Sequence, residues 1–283
     1  MTEIKPDQLD TEADARRTVE ERFERRIVMS VPDKHNKKLQ KLMAIVNEDD
    51  DLYGLWLACN VTAIQRLGMT DHGPVHVKIV MNIAVRMLRL LFDRGVVPSV
   101  VADWKLSNDD AEVIVALGAL LHDVGMSIQR ADHEDFSLFI AQEKLKEILP
   151  QLYDERVANV IRSDVLHAII AHRTGGKPLT LEAGVVRIAD ALDMAKGRSR
   201  IPFEAGSDSI HSISAAAIDS INIDKGGERP ICITVQMTNS AGVFQLDQLF
   251  REKLKGSGLE PHVELRAVLK GDTEERLFKE FKI

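Results

Sequence analysis

The sequence predicts a mainly α-helical protein with a small α+β module at its C-terminal end. Three observations carry that reading. Apolar residues recur at helical spacing in one segment after another up to about residue 200. Pro, Gly, Asp and Thr stand at points where helices should start or stop. After about residue 210 the period changes to two, as in PICITVQMTN (230–239), where Ile231, Ile233, Val235 and Met237 alternate with other residues.

The elements follow in order. Residues 1 to about 30 read as a frayed start and then a charged helix. Residues 36–68 keep helical spacing and carry an apolar patch at Leu52, Leu55, Trp56 and Leu57. Gly73-Pro74 marks a new helix, because Pro suits the first helical position. From His76, one face carries Val80, Ile83, Ala84, Met87 and Leu91. A loop with Gly95 and Pro98 leads to a helix from about Asn108 to His122, with Val113, Leu117, Leu120 and Leu121 on one face. Asp132 is placed to cap a helix ending before Pro150. Residues 154–172 form another, with Val157, Ile161, Val165 and Ala168 on one side. Gly175-Gly176 and Pro178 make a turn, and Thr180 caps a helix expected to end near Gly197. Strands are expected at 217–224, 230–239 and 262–269, with an amphipathic helix at 243–254, giving a β-β-α-β module. The expected organisation is an N-terminal helical extension (1–45), a helical domain (46–205) and the small module (206–283).

With 283 residues, 45% of them apolar, there is ample material for a core. The formal net charge of -7 provides no global basic field and disfavours nucleic acid as a partner. Cys59 and Cys232 lie far apart and form no CxxC pair, so a reducing compartment is the simpler reading. The polar N-terminus has no apolar signal core, and no stretch approaches the about 20 apolar residues that span a bilayer. The expectation is a cytoplasmic protein without a membrane span. A homodimer is expected only on the general frequency of symmetric oligomers.

The chemistry centres on LLHDVG (120–125), an apolar run that ends in His122 and Asp123 before Gly125. Read alone, that is ordinary helix-terminus punctuation. Six of the nine histidines, however, fall between residues 72 and 172: His72, His76, His122, His133, His167 and His172. Imidazole and carboxylate together suit a divalent metal and Lewis-acid chemistry on oxygen substrates. A frayed helix end can aim neighbouring His and Asp side chains at one point, whereas a helix interior splays them about 100° apart.

The order His76, His122-Asp123, Asp190 resembles the HD-domain phosphohydrolase superfamily over about residues 50–200. LGALLHDVG (117–125) resembles its central motif, and VVRIADALD (185–193) its closing aspartate helix. The resemblance implies an HD-domain helical bundle in which His76, His122, Asp123 and Asp190 bind a divalent metal. Asp123 would bridge to a second metal if one is present. HEDFSLFIA (133–141) and IIAHRTGG (169–176) resemble the segments that add ligands in two-metal members, which implies His133 and His172. Arg173 departs from the pattern, standing where many such members have another His. His167 is the alternative to His172, but the two lie about 140° apart on one helix, and His172 follows Ile161, Val165 and Ala168 on the inward face. The cofactor is therefore one or two divalent ions, with manganese, iron, magnesium, cobalt, nickel and zinc all open.

His72 lies four residues before His76, where cyclic-nucleotide phosphodiesterases of the superfamily carry a proton donor to the leaving oxygen. Asp71 beside it could orient that imidazole or simply solvate the loop. Catalysis is thus assigned to His72 and Asp123. Phosphate contacts are expected from Arg173 and Lys177, and from Lys196, Arg198 and Arg200 of AKGRSR (195–200), because guanidinium forks match phosphate oxygens. The implied function is hydrolysis of a phosphomonoester, nucleotide or cyclic nucleotide by metal-activated water. The alternative is a regulatory HD protein that binds nucleotide with little or no turnover.

Overall fold

The computed structural model describes residues 17–173, 175–194, 214 and 216–270, with the side chains of 248 and 249 left aside. The basic residues Lys196, Arg198 and Arg200 lie outside the described residues.

Helix α1 (Val19–Glu24) opens on a capping box between Thr18 and Glu21. Helices α2 (Lys37–Glu48) and α3 (Asp50–Asn60) divide what the sequence reads as one stretch. The break is at Asp49, whose side chain accepts from the Leu52 N–H and starts α3 as an N-cap. A wider π turn, Val61–Arg66, continues α3. Helix α4 (Pro74–Phe92) begins at the expected proline. A short helix, α5 (Ser99–Trp104), lies where a loop is expected. Helix α6 (Asn108–Leu121) is buried over most of its circumference and contacts α4 along its length, with α8 and α9 also against it. Helix α7 (His133–Ile148) and helix α8 (Glu155–Ala171) follow, the latter capped by Asp154. Helix α9 (Leu181–Ala191) is capped by Thr180.

Two expectations need correction. Asp132 stands before α7, but in a left-handed conformation (φ 54°) and with no side-chain capping bond; it turns the chain rather than capping the helix. Helix α9 ends at Ala191, well before Gly197; Asp193 lies just past the helix and binds His76.

Strands β1 (Ile218–Lys225), β2 (Ile231–Met237) and β3 (Val263–Leu269) form a three-stranded sheet in that order. β1 and β2 pair antiparallel, β2 and β3 parallel. A parallel pair needs a crossover. Here it runs through a π-helical turn (Gln245–Phe250) and α10 (Arg251–Leu254). The expected alternation in β2 holds: Ile231, Ile233, Val235 and Met237 are all buried. These side chains join the same hydrophobic cluster as α4, α6, α8 and α9, so one core continues from the helices into the sheet. Arg86 of α4 donates to the Ile223 carbonyl and pairs with Asp224 at 2.6 Å, which fixes β1 against the helix.

Glu182 explains α5. It is fully buried in the first turn of α9, and its oxygens accept from the Ser99 and Val100 N–H groups at 3.3 and 3.0 Å. These are helix-start donors that Pro98 cannot cap. Burial first, then the charges of Glu182 and Asp103, push the Asp164 carboxyl up to about 6. A carboxyl whose folded pKa exceeds its unfolded one costs stability above both values, and the cost fades as pH falls through 6. Asp164→Asn is therefore expected to stabilise the protein at pH 7 by about 1 kcal/mol, a value discounted for partial exposure. Urea unfolding should show the gain at pH 7 and its disappearance near pH 4.

Candidate metal centre

Five helix ends meet at one point. The start of α4 supplies His76, the end of α6 His122 and Asp123, the start of α7 His133, the end of α8 His172, and the end of α9 Asp190. His76, His122, Asp123, His133 and His172 are buried, while the Asp190 side chain is about one-fifth exposed.

Asp123 divides the cluster. Its Oδ2 lies 3.2 Å from His76 Nε2 and 3.3 Å from His122 Nε2. Its Oδ1 lies 3.1 Å from His133 Nε2 and 3.6 Å from His172 Nε2. Asp190 Oδ1 joins the first side, 3.6 Å from His76 Nε2 and 3.7 Å from His122 Nε2. Among the described residues, three groups have ligand atoms mutually within 4.8 Å: His76, His122 and Asp190; His122, Asp123 and His172; and His133, Glu134 and His172. Ligands on opposite sides of a metal stand about 4.2 Å apart, so this donor set fits a metal with little adjustment.

The ring orientations are fixed from behind. A backbone carbonyl can only accept, so His122 Nδ1 donates to Ala119 O (2.8 Å) and His172 Nδ1 to Ile169 O (2.5 Å). His76 Nδ1 donates to Asp193 Oδ2 at 2.7 Å. In a neutral ring, the proton on Nδ1 leaves the Nε2 lone pair facing inward. Asp193 thus holds His76 from behind. Nδ1 of His133 meets the Arg130 guanidinium at 2.7 Å and Glu134 Oε2 at 3.1 Å.

Electrostatics point the same way. Burial alone would raise the Asp123 and Asp190 carboxyls. The neighbouring His122 for the first, and Lys253 with His122 for the second, hold both well below the usual carboxylate range. Burial works against charge on His122, but Asp123 and Asp190 overcome it and lift the imidazole to about 10. Burial pushes His172 down. One buried and one mostly buried carboxylate demand a cation, and in the protein alone the His122 imidazolium provides one. A divalent metal held by these residues would take that place, with the His122 nitrogen as a neutral ligand.

Gly125 has a steric purpose. It does not take the left-handed conformation of a helix-ending glycine. A Cβ there would sit 2.0 Å from the His133 carbonyl and 2.6 Å from the Ser137 nitrogen. Its own N–H donates to Ser137 Oγ at 2.8 Å. The glycine lets the HD turn lie directly on the start of α7 and brings His133 to Asp123.

The His72 ring centroid is 5.6 Å from that of His76, and its Nδ1 donates to Thr70 O. Asp71 does not orient the His72 ring or solvate the loop. It is buried and accepts from the Gly73 and His76 N–H groups, capping α4. Arg173 and Lys177 are exposed, and neither side chain contacts the cluster among the described residues. His167 points elsewhere; its Nε2 accepts from the Leu179 N–H.

Three participants escaped the sequence reading: Arg187, Lys253 and Glu134. Arg187, buried in α9, donates to the carbonyls of Ala171, Arg173, Gly176, Glu252 and Lys253. It ties the His172 turn to α10. Lys253 donates to the His172 carbonyl, and its Nζ is 3.3 Å from Asp190 Oδ2. Arg187 follows VV inside a quoted motif, where a buried cation has no sequence signal. Lys253 sits in a module that shows no site pattern of its own.

A family model described as the HD domain matches residues 75–195. An uncharacterized protein of Methanocaldococcus jannaschii is 44% identical over 224 residues, which is 79% of this chain and 86% of that protein. The matched region holds every member of the cluster.

Gly125→Ala is expected to force the HD turn away from α7 and to lower stability by about 1–3 kcal/mol. Chemical denaturation measures it. Arg187→Met leaves five carbonyls without this donor and should cost at least about 3 kcal/mol by the same assay.

Proposed function

The chain belongs to the HD-domain superfamily of metal-dependent phosphohydrolases, and on that premise we propose that it hydrolyses a phosphomonoester, nucleotide or cyclic nucleotide. The observation that supports this most is the division of Asp123, with one oxygen toward His76 and His122 and the other toward His133 and His172. In this reading His76, His122, Asp123 and Asp190 hold one divalent ion, and Asp123, His133 and His172 a second. Such an ion supplies Lewis-acid polarisation of phosphoryl oxygen and lowers the pKa of water.

The chain's own groups do the rest. Asp193 and the Ala119 and Ile169 carbonyls keep three imidazoles aimed inward. His72 carries its proton on Nδ1 toward Thr70, so a second proton on Nε2 is the one available to a leaving oxygen. Lys253 brings a fixed positive charge to the Asp190 side, suited to a phosphoryl oxygen. Arg173 and Lys177 lie on the turn that follows His172 and can add further charge there. Lys196, Arg198 and Arg200 are proposed only from their place just after Asp193 in the sequence. The reading keeps 46–205 as the catalytic unit, with 1–45 as its extension and 206–283 as the module that carries Lys253.

A panel of phosphomonoesters, nucleotides and cyclic nucleotides with added manganese tests the proposal. Wild type should turn over at least one class, and Asp123→Asn none. His72→Asn should keep its metal while kcat falls by about a hundredfold or more. Asp193→Asn should weaken metal affinity by about 10–100-fold, read by chelator competition. Full metal content with no turnover across the panel would replace this proposal with a nucleotide-binding regulatory protein.

A further inference from the structure

The two sides of Asp123 differ in the charge around them. On the His76 and His122 side stand Asp190 and Asp193, with Lys253 against Asp190 at 3.3 Å. On the His133 and His172 side stand Glu134, 3.1 Å from His133 Nδ1, and the guanidinium of Arg130. Among these described residues, two carboxylates meet one cation on the first side, and one carboxylate meets one cation on the second. Asp123 is shared. The second side therefore offers less negative charge to a divalent ion.

Arg130 reaches His133 from the turn that precedes α7. It lies three residues before His133, where Asp132 turns the chain with φ 54°. Its Nη1 is 2.7 Å from His133 Nδ1 and 3.5 Å from His133 Nε2. A donor in line with the Nδ1 lone pair would stand farther from Nε2, so the guanidinium lies across the ring. His133 Nε2 is itself 3.1 Å from Asp123 Oδ1. The guanidinium thus stands beside the nitrogen that would take an ion, on a residue that is exposed to solvent.

A positive charge in that place opposes a second ion on His133. A phosphoryl group brings oxygens that neutralise both the ion and the guanidinium, whose paired N–H donors match them. Ion and phosphate then each favour the other, and by linkage the preference is reciprocal.

We propose that Arg130 binds a phosphoryl oxygen of the substrate on the His133 side, and that its charge makes the second ion load together with phosphate. The inference rests on the metal-dependent reading above and adds an order to it. The side of His76, His122 and Asp190 fills first, without phosphate. The side of His133 and His172 fills with the phosphate.

The test titrates manganese into the full chain after chelator stripping, with and without inorganic phosphate, and follows free ion by its paramagnetic resonance signal. Wild type should take one ion tightly without phosphate and a second weakly. Phosphate should tighten the second about tenfold or more. Arg130→Gln should hold the first ion as wild type does, which controls for a fold defect. It should take the second more tightly than wild type when phosphate is absent, and gain little when phosphate is added. Arg130→Lys, which keeps the charge, should retain the phosphate effect. A merely structural role for Arg130 would weaken both ions in Arg130→Gln, and that result overturns the proposal. So does a phosphate effect in Arg130→Gln equal to that of wild type. Wild type that takes no second ion under either condition overturns the two-ion reading as well, so the two failures are told apart.

Discussion

Asp123 and Asp190 stay ionised although Asp123 is buried and Asp190 mostly so, and the surrounding structure follows from meeting that charge. A carboxylate out of water must be paired or bound to a metal. Four inward-facing imidazoles and the ammonium of Lys253 surround the pair. Acceptors behind His76, His122 and His172 fix the tautomers of three of those imidazoles. The cluster is thus an arrangement in which positive charge is required and the lone pairs to bind it are already directed.

Helix ends make that arrangement possible. Mid-helix positions would spread the ligands around a cylinder, whereas ends let each chain turn inward. Each end has its own support. Asp71 caps α4 and fixes the approach of His76. Trp56 donates to the Leu120 carbonyl at 2.8 Å, at the last turn before His122. Gly125 removes the bulk that would separate the HD turn from α7. Arg187 clamps the turn after α8 to α10, and Lys253 of α10 reaches Asp190. The small C-terminal module therefore contributes to the edge of the cluster while sharing the helical core.

Much of this was legible from residues alone. The 3.6 and 2.0 periods located the long helices and β2, because burial on one face imposes them. The resemblance of LGALLHDVG and VVRIADALD to the HD family pointed to His76, His122, Asp123 and Asp190, and inward placement favoured His172 over His167. Other features left no local mark. Helix α5 depends on Glu182, which is distant in sequence, so its start reads as loop. The break at Asp49 follows from a side chain choosing a cap over a helical interior, a choice made by packing. Arg187 and Lys253 act through backbone carbonyls brought together only by the fold. Asp132 read as a cap on residue type, but its left-handed backbone directs it otherwise.

The most direct test of the central claim is the metal content of the purified full chain by elemental analysis, compared with that of Asp123→Ala. The account expects near-stoichiometric divalent metal in wild type, approaching two per chain if His133 and His172 share the Asp123 bridge. The variant should lose it while remaining folded. A folded wild-type protein that retains no divalent metal, even after reconstitution, would contradict the reading of the cluster as a metal centre.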